Sequence, residues 1–389
     1  MIRNKVITGI LAAMAAIQVQ AQPLLRSNVN IGFIYPLSTN GVRAADYSNL
    51  FSVHAIAGVS RSEEAFCASG VANVVKDSAE GFLGAGIANV VGGSVNGCQA
   101  AGVVNATGGW VTGAQLSGFI NIAGSVNGIQ AAGFANIATH KVQGVQASGF
   151  FNSADTANTQ LGGFVNIARN VNTQVAGFVN VADEVTGAQV AGFINIARKV
   201  KGTQIAGFIN IADSSNNPIG IINIIGNGEQ AIGVTMNETG TSMLTFRSGG
   251  KNLYGLLGVG GNFTNGYRAY AFEAGIGTHI PVSRTFRFNA EIYSSTLTDH
   301  WFNTDYRSGI RFMPSLRFGN LEVFAGLSVN YTGSADIQGT GRVGYSLWDY
   351  RSANFSHDLS IGMEGGLQYH FNSKNFVKRI IDQKNNQLQ

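Results

Sequence analysis

Two hydrophobic patterns divide the chain. From about residue 58 to 226 a short unit of the form Gly-x-Gln-x-Ala-Gly-Phe-x-Asn recurs every 13–16 residues, and from 227 to 371 apolar and polar positions alternate in longer runs. Both patterns predict strands. The repeat is rich in Val, Ile, Phe and Asn, and each copy carries a central Gly that would cost a helix about 1 kcal/mol relative to Ala. Polar links such as RKVKG, DEVTG and GSVNG separate the copies.

A period this short suits one coil of a β-solenoid holding two short strands. Stacked coils place each residue about 4.8 Å from its copy above and below. The Asn series, Asn121, Asn136, Asn152, Asn166, Asn180, Asn195 and Asn210, then forms an amide ladder. The Gln series, Gln115, Gln130, Gln146, Gln160, Gln174, Gln189 and Gln204, forms a second polar file. Phe119, Phe134, Phe150, Phe164, Phe178, Phe193 and Phe208 form an apolar one. The repeat Gly supplies a bend that needs positive φ or has no room for a Cβ. Outer copies decay, with Cys67 or Leu83 in the Gln slot at one end and Asn217 at the other, as capping repeats do. The alternative is an antiparallel meander, with each copy one strand of a single large barrel. Short, uniform connections favour the solenoid, because a membrane barrel alternates short turns with long loops.

The unit resembles the surface-repeat proteins of diderm bacteria, although Ala101, Ala132, Ala176, Ala191 and Ala206 stand where that family more often has Gly. The resemblance spans about residues 58–226. It implies an envelope location and brings no catalytic residues.

In the second region "TFRFNAEIY", "NLEVFAGLSVNY" and "DLSIGMEGGLQYHF" put apolar side chains on one face and polar ones on the other. That is the pattern of transmembrane β-strands. Strands are predicted near 229–237, 242–247, 252–263, 267–278, 284–295, 309–318, 320–331 and 358–371, enough to close an eight-stranded antiparallel barrel. Long connections at 296–308 and 332–356, against a short one at 318–320, read as outer loops and an inner turn. Glu273, Arg287, Glu291, Arg311, Arg317, Glu322 and Glu364 point into the lumen, which in so small a barrel holds only side chains. A paired charge network is expected there, with a conducting pore as the rival. A β-sandwich or soluble barrel is the other fold for this region. The fold class is therefore all-β, a solenoid followed by a small barrel.

Composition changes the picture in three places. Arg3 and Lys5, an apolar run from Val6 to Ile17 and small residues at Val19 and Ala21 form a secretory signal peptide, with cleavage expected after Ala21. Residues 22–57 then cap the array or add a strand, and 372–389 form a polar, solvated tail. The pI near 9.0 suggests nucleic acid, but the surplus of basic residues lies in the signal peptide and the tail. The body is near neutral, so no nucleic-acid partner is expected. Cys67 and Cys98 occupy slots of opposite facing in their copies, which favours two small buried thiols over a disulfide.

Reaction chemistry is sparse. The His residues are dispersed without metal-site spacing, and no cofactor is implied. His300 beside Asp299, with Ser294 and Ser295 nearby, is the one constellation that resembles a rim-located lipid-modifying enzyme. A solvated loop is the plainer reading. The expected function is a non-enzymatic outer-membrane or cell-surface repeat protein, structural or adhesin-like. Its partners would be outer-membrane lipid and a carbohydrate or host surface ligand, unless the Gln and Asn files are internal and purely structural. A channel or transporter is the alternative.

Overall fold

The computed structural model describes residues 25–263, 269–299, 304–334, 345–352, 355–374 and 377–382. Residues 1–21, where the signal peptide is predicted, and His300 lie outside them. The fold is all-β, a solenoid-like parallel sheet of about 12 turns and a closed antiparallel barrel of 8 strands. The chain divides into two compact units between Ala191 and Gly192.

In the first unit the coils stack by in-register parallel pairing of strands with their copies one coil on, apart from the short Leu37–Ser38, which pairs antiparallel with Leu25–Ile34. Gln130 pairs with Gln146, and Asn121 with Asn136. Parallel register already joins Leu25–Ile34 to Tyr47–Ser60, so residues 25–57 are coil and stacking begins well before residue 58.

Inward positions are small or amide-bearing. Val111, Val126, Val142 and Val171 form an aliphatic file, and Ala123, Ala138, Ala154 and Ala168 form another. Between them stand the Gln and Asn files, all at 0% exposure. The Phe file forms as predicted but on the outside. Neighbouring rings stack at 4.8–5.0 Å from Phe119 to Phe178, and each stays 39–46% exposed. A coil closed by Val, Gln, Asn and Ala is too narrow to admit an aromatic ring.

Of the two roles open to the repeat Gly, lack of room is the real one. A Cβ on Gly149 would lie 2.2 Å from the carbonyl oxygen of Gly133 one coil below. Positive φ belongs instead to a second Gly, two residues before the Gln, with Gly128 at 138° and Gly144 at 140°. Cys67 continues the Gln file and is buried, whereas Cys98 pairs in register with Phe82 on the opposite face; both are free thiols.

In the second unit the coils end at Ile222–Ile225, and the barrel follows. Its strands are Glu229–Asn237, Ser242–Gly249, Leu253–Asn262, Ala269–Pro281, Phe286–Asp299, Thr304–Phe318, Leu321–Ser334 and Ser356–Phe371. Antiparallel pairing of the last strand with the first, Leu367 opposite Val234, closes the wall.

Three expectations are corrected here. The connection read as a long loop at 296–308 is mostly strand, because Ser and Thr continue the alternation to Asp299 and again from Thr304. The long connection after Ser334 contains a further strand, Tyr345–Arg351, paired with the upper half of the last strand. The tail is not wholly solvated. Residues 377–382 are helical, Val377 and Ile381 are buried, and Lys374, Lys378 and Asp382 bear on Asp213 of the last coils.

Candidate functional site

Alternation along the barrel strands drives one face of each strand into the lumen, where ionic groups fill the space in layers. Next to the coils, Glu322 accepts from Arg287 Nε (3.1 Å), Asn289 Nδ2 (2.9 Å) and Gln368 Nε2 (2.8 Å), with His370 Nε2 at 2.6 Å. Glu229 accepts from Arg287 and Arg317 at 2.8 and 2.9 Å. Arg317 stands opposite Glu322 in register, yet its guanidinium turns to Glu229.

At mid-height Glu291 accepts from Arg247 Nε (2.7 Å), Tyr254 Oη (2.6 Å) and Arg311 Nε (2.5 Å). Arg311 reaches Glu273 at 2.7 Å and Glu364 at 2.6 Å with its remaining nitrogens. Its guanidinium lies 4.3 Å from the Tyr293 ring centroid. Arg311 and Glu291 are fully buried. All seven lumen residues singled out in the sequence therefore line one stacked network. Arg247, Glu229, Tyr254, His279 and His370 belong to it and were missed. For Arg247 the signal was present, since "SMLTFR" alternates with Met243, Thr245 and Arg247 on the inner face.

Above the network the lumen opens into a cup of about 370 Å3, toward the end where Glu229–Asn237 turns into Ser242–Gly249. That hairpin ends below the rim, and its last residue, Asn237, pairs only with Glu364 midway along the last strand. Tyr345–Arg351 occupies the edge above it. Arg307 and Glu238 form an ion pair in the cup wall.

The outside of the barrel is the reverse of its inside. Ile232, Val234, Leu244, Phe272, Ile292, Ile310, Phe312, Leu327, Val329 and Leu367 are all exposed large apolar side chains.

In the first unit the amide files are closed on themselves. Gln146 Nε2 donates to Gln130 Oε1 of the coil before (2.9 Å) and to Ser153 O of its own coil (3.2 Å). Asn136 Nδ2 donates the other way, to Asn152 Oδ1 (2.9 Å) and Ala147 O (2.7 Å) of the next coil. The two ladders run with opposite polarity, and their groups are spent on each other and on the backbone. They present nothing to a carbohydrate. What faces outward is an open groove of about 990 Å3, with Gly84, Ala100, Leu116, Ala131, Ala147 and Leu161 along it.

No family model and no curated protein matches the chain. Among solved structures, one from the de novo design of transmembrane β-barrels is similar to part of it. The identity is 15%, the TM-score is 0.21, and the match covers 38% of this chain and 96% of that one.

Proposed function

We propose that this chain is a non-enzymatic outer-membrane repeat protein, with the barrel as anchor and the array as a rigid structural or binding surface. One observation carries the reading: the barrel is apolar outside and ionic inside. A soluble barrel would place these groups the other way round, since a water-facing wall of Ile, Val, Leu and Phe far exceeds the apolar patches soluble proteins tolerate. In hydrocarbon the same wall is at ease, and closure gives each of the eight barrel strands a partner on both sides. The tightly bonded mid-height layer favours a plugged anchor over a channel.

Connection lengths support one orientation, the longest connection, after Ser334, lying at the end away from the coils. Gly250–Asn252, Val282–Thr285 and Gly319–Asn320 are short turns at the end where the chain enters the barrel from the last coils. In outer-membrane barrels the short turns are periplasmic, so this reading places the last coils on the periplasmic side. A surface-displayed array, as expected of surface-repeat proteins, needs the opposite placement.

The test uses mature full-length protein. Folded barrel should migrate differently from boiled protein on a gel and should enter liposomes without opening a conductance. An epitope inserted at Thr139–Val142 should be reached by antibody only in permeabilised cells. Labelling on intact cells would overturn the periplasmic placement, and unchanged mobility on boiling would overturn the anchor.

A further inference from the structure

The cup in the outer half of the barrel is not accounted for by anchoring. Its floor is the top of the mid-height network, Glu273, Tyr293 and Glu364, so it is a dead end and not part of a passage. At about 370 Å3 it falls in the range of small-molecule pockets, about 300–1,000 Å3.

The wall is rich in hydroxyls, Thr235, Thr241, Ser295, Thr332 and Ser360 among them. Such groups can donate or accept, which suits a ligand bearing hydroxyls of its own. Among the described lining residues carboxylates outnumber guanidiniums: Glu238, Glu273, Asp358 and Glu364 against Arg307 and Arg351. Arg311 below the floor offsets only part of that excess, through Glu273 and Glu364. Asp358 accepts from Ser346 Oγ at 2.6 Å and has no guanidinium partner among the described residues. Arg307 spends a terminal nitrogen on Glu238, while its Nε is buried with no acceptor.

These groups ask for different things. A carboxylate on the rim wants a cation, and the hydroxyl of Thr332, opposite it in register, can donate to or accept from a ligand hydroxyl. We infer that the cup is a binding site for a small hydroxylated organic cation, of the chemistry of an amino sugar, with the ammonium group at Asp358 and ligand hydroxyls meeting Thr332 and Ser360.

The inference goes beyond the anchoring role and is tested apart from it, by calorimetry on the mature full-length protein in detergent micelles. The probes are glucosamine, N-acetylglucosamine, glucuronate and spermidine. Glucosamine should bind, N-acetylglucosamine at least about ten-fold more weakly, and glucuronate not at all. Asp358→Asn should weaken glucosamine about five-fold or more while leaving the heat-dependent gel mobility unchanged. Absence of glucosamine binding, equal binding of the N-acetyl sugar, or an Asp358→Asn protein that binds as before would overturn it. Spermidine binding as tightly as glucosamine would show that charge alone is read and would overturn the amino-sugar assignment. Loss of heat-dependent mobility in the unaltered protein would instead count against the barrel anchor.

Discussion

Asn223, the last of the Asn file, is held by Ser248 of the second barrel strand. The Asn223 backbone N–H donates to Ser248 Oγ at 2.9 Å, and Asn223 Nδ2 donates to the Ser248 carbonyl at 3.2 Å. Both residues are fully buried. The ladder that runs through Asn195 and Asn210 thus ends on a barrel group instead of on water. Ser248→Ala would leave the Asn223 N–H buried without an acceptor, which costs about 1–3 kcal/mol. The expected result is faster limited proteolysis between residues 226 and 229, with the barrel's heat-dependent gel mobility intact.

The mid-height layer of the barrel makes a sharper prediction. Arg311 is the common partner of Glu273, Glu291 and Glu364. Arg311→Ala leaves Arg247 as the one guanidinium against three buried carboxylates, and breaking a buried network from one side typically costs about 3–5 kcal/mol. The denaturant midpoint in detergent should fall steeply. A triple change of Arg311→Met with Glu273→Gln and Glu364→Gln should recover much of the loss, because the orphaned charges go with their partner. If Arg311→Ala alone leaves the midpoint unmoved, the layer is not what holds the lumen together.

In the array, Gln146 and Phe150 are four residues apart and should behave very differently. Gln146 donates to Gln130 and accepts from Gln160. Gln146→Leu orphans groups in both neighbouring coils as well as the Ser153 carbonyl, for a loss of about 2 kcal/mol or more. Phe150 lies between Phe134 and Phe164 but is 41% exposed. Phe150→Ala removes two stacking contacts, worth about 0.5–1.5 kcal/mol each between buried rings and toward the low end here where the rings face water, and it leaves no polar group unpaired. Thermal unfolding followed by circular dichroism should rank the two in that order.

Much of this was legible in the sequence because the strand period is strict. Glu291 and Arg311 fall on inward positions by counting alone, and the register then sets them face to face. The repeat could be counted as easily, but its inside and outside could not. Gln204, Phe208 and Asn210 share one face of a flat strand, so alternation predicts a common environment for all three. The bend at Gly207 breaks that rule: Gln204 and Asn210 turn in and are fully buried, while Phe208 is only half-buried and stacks on Phe193 at 5.2 Å. No pattern of hydrophobicity signals a core whose amides are inside and whose rings are outside. The helical turn at residues 377–382 was signalled by Phe376, Val377, Ile380 and Ile381 at helical spacing, but a pattern of barely two turns set among polar residues reads as tail until Val377 and Ile381 find a surface to cover.

The first coils contain an acid where later coils carry neutral side chains, and this gives the array a pH dependence. Glu63 is almost fully buried; its Oε1 accepts from Ser52 Oγ (2.9 Å) and Asn49 Nδ2 (3.2 Å), and its Oε2 has no partner. Burial dominates and pushes the carboxyl above its ordinary range, with the three hydroxyl and amide donors around it opposing only in part. The nearby Cys67 thiol is pushed up as well, by burial first and by Glu63 second. The folded protein therefore keeps a proton on Glu63 at pH values where the unfolded chain has released it. Stability is full below the unfolded pKa, falls as pH rises toward the folded pKa, and is flat above it. His54, whose pKa burial lowers, contributes the opposite slope below its ordinary value near 6.5. Glu63→Gln removes the first effect and leaves the second. The variant should be more stable than the unaltered protein at neutral pH, by about 1 kcal/mol for each unit of displacement. The gap should close as pH falls to 4.5, the ordinary Glu value. Urea midpoints of the array measured from pH 4 to 8 would decide it, and a pH-independent gap would mean that Glu63 is ionised in the fold.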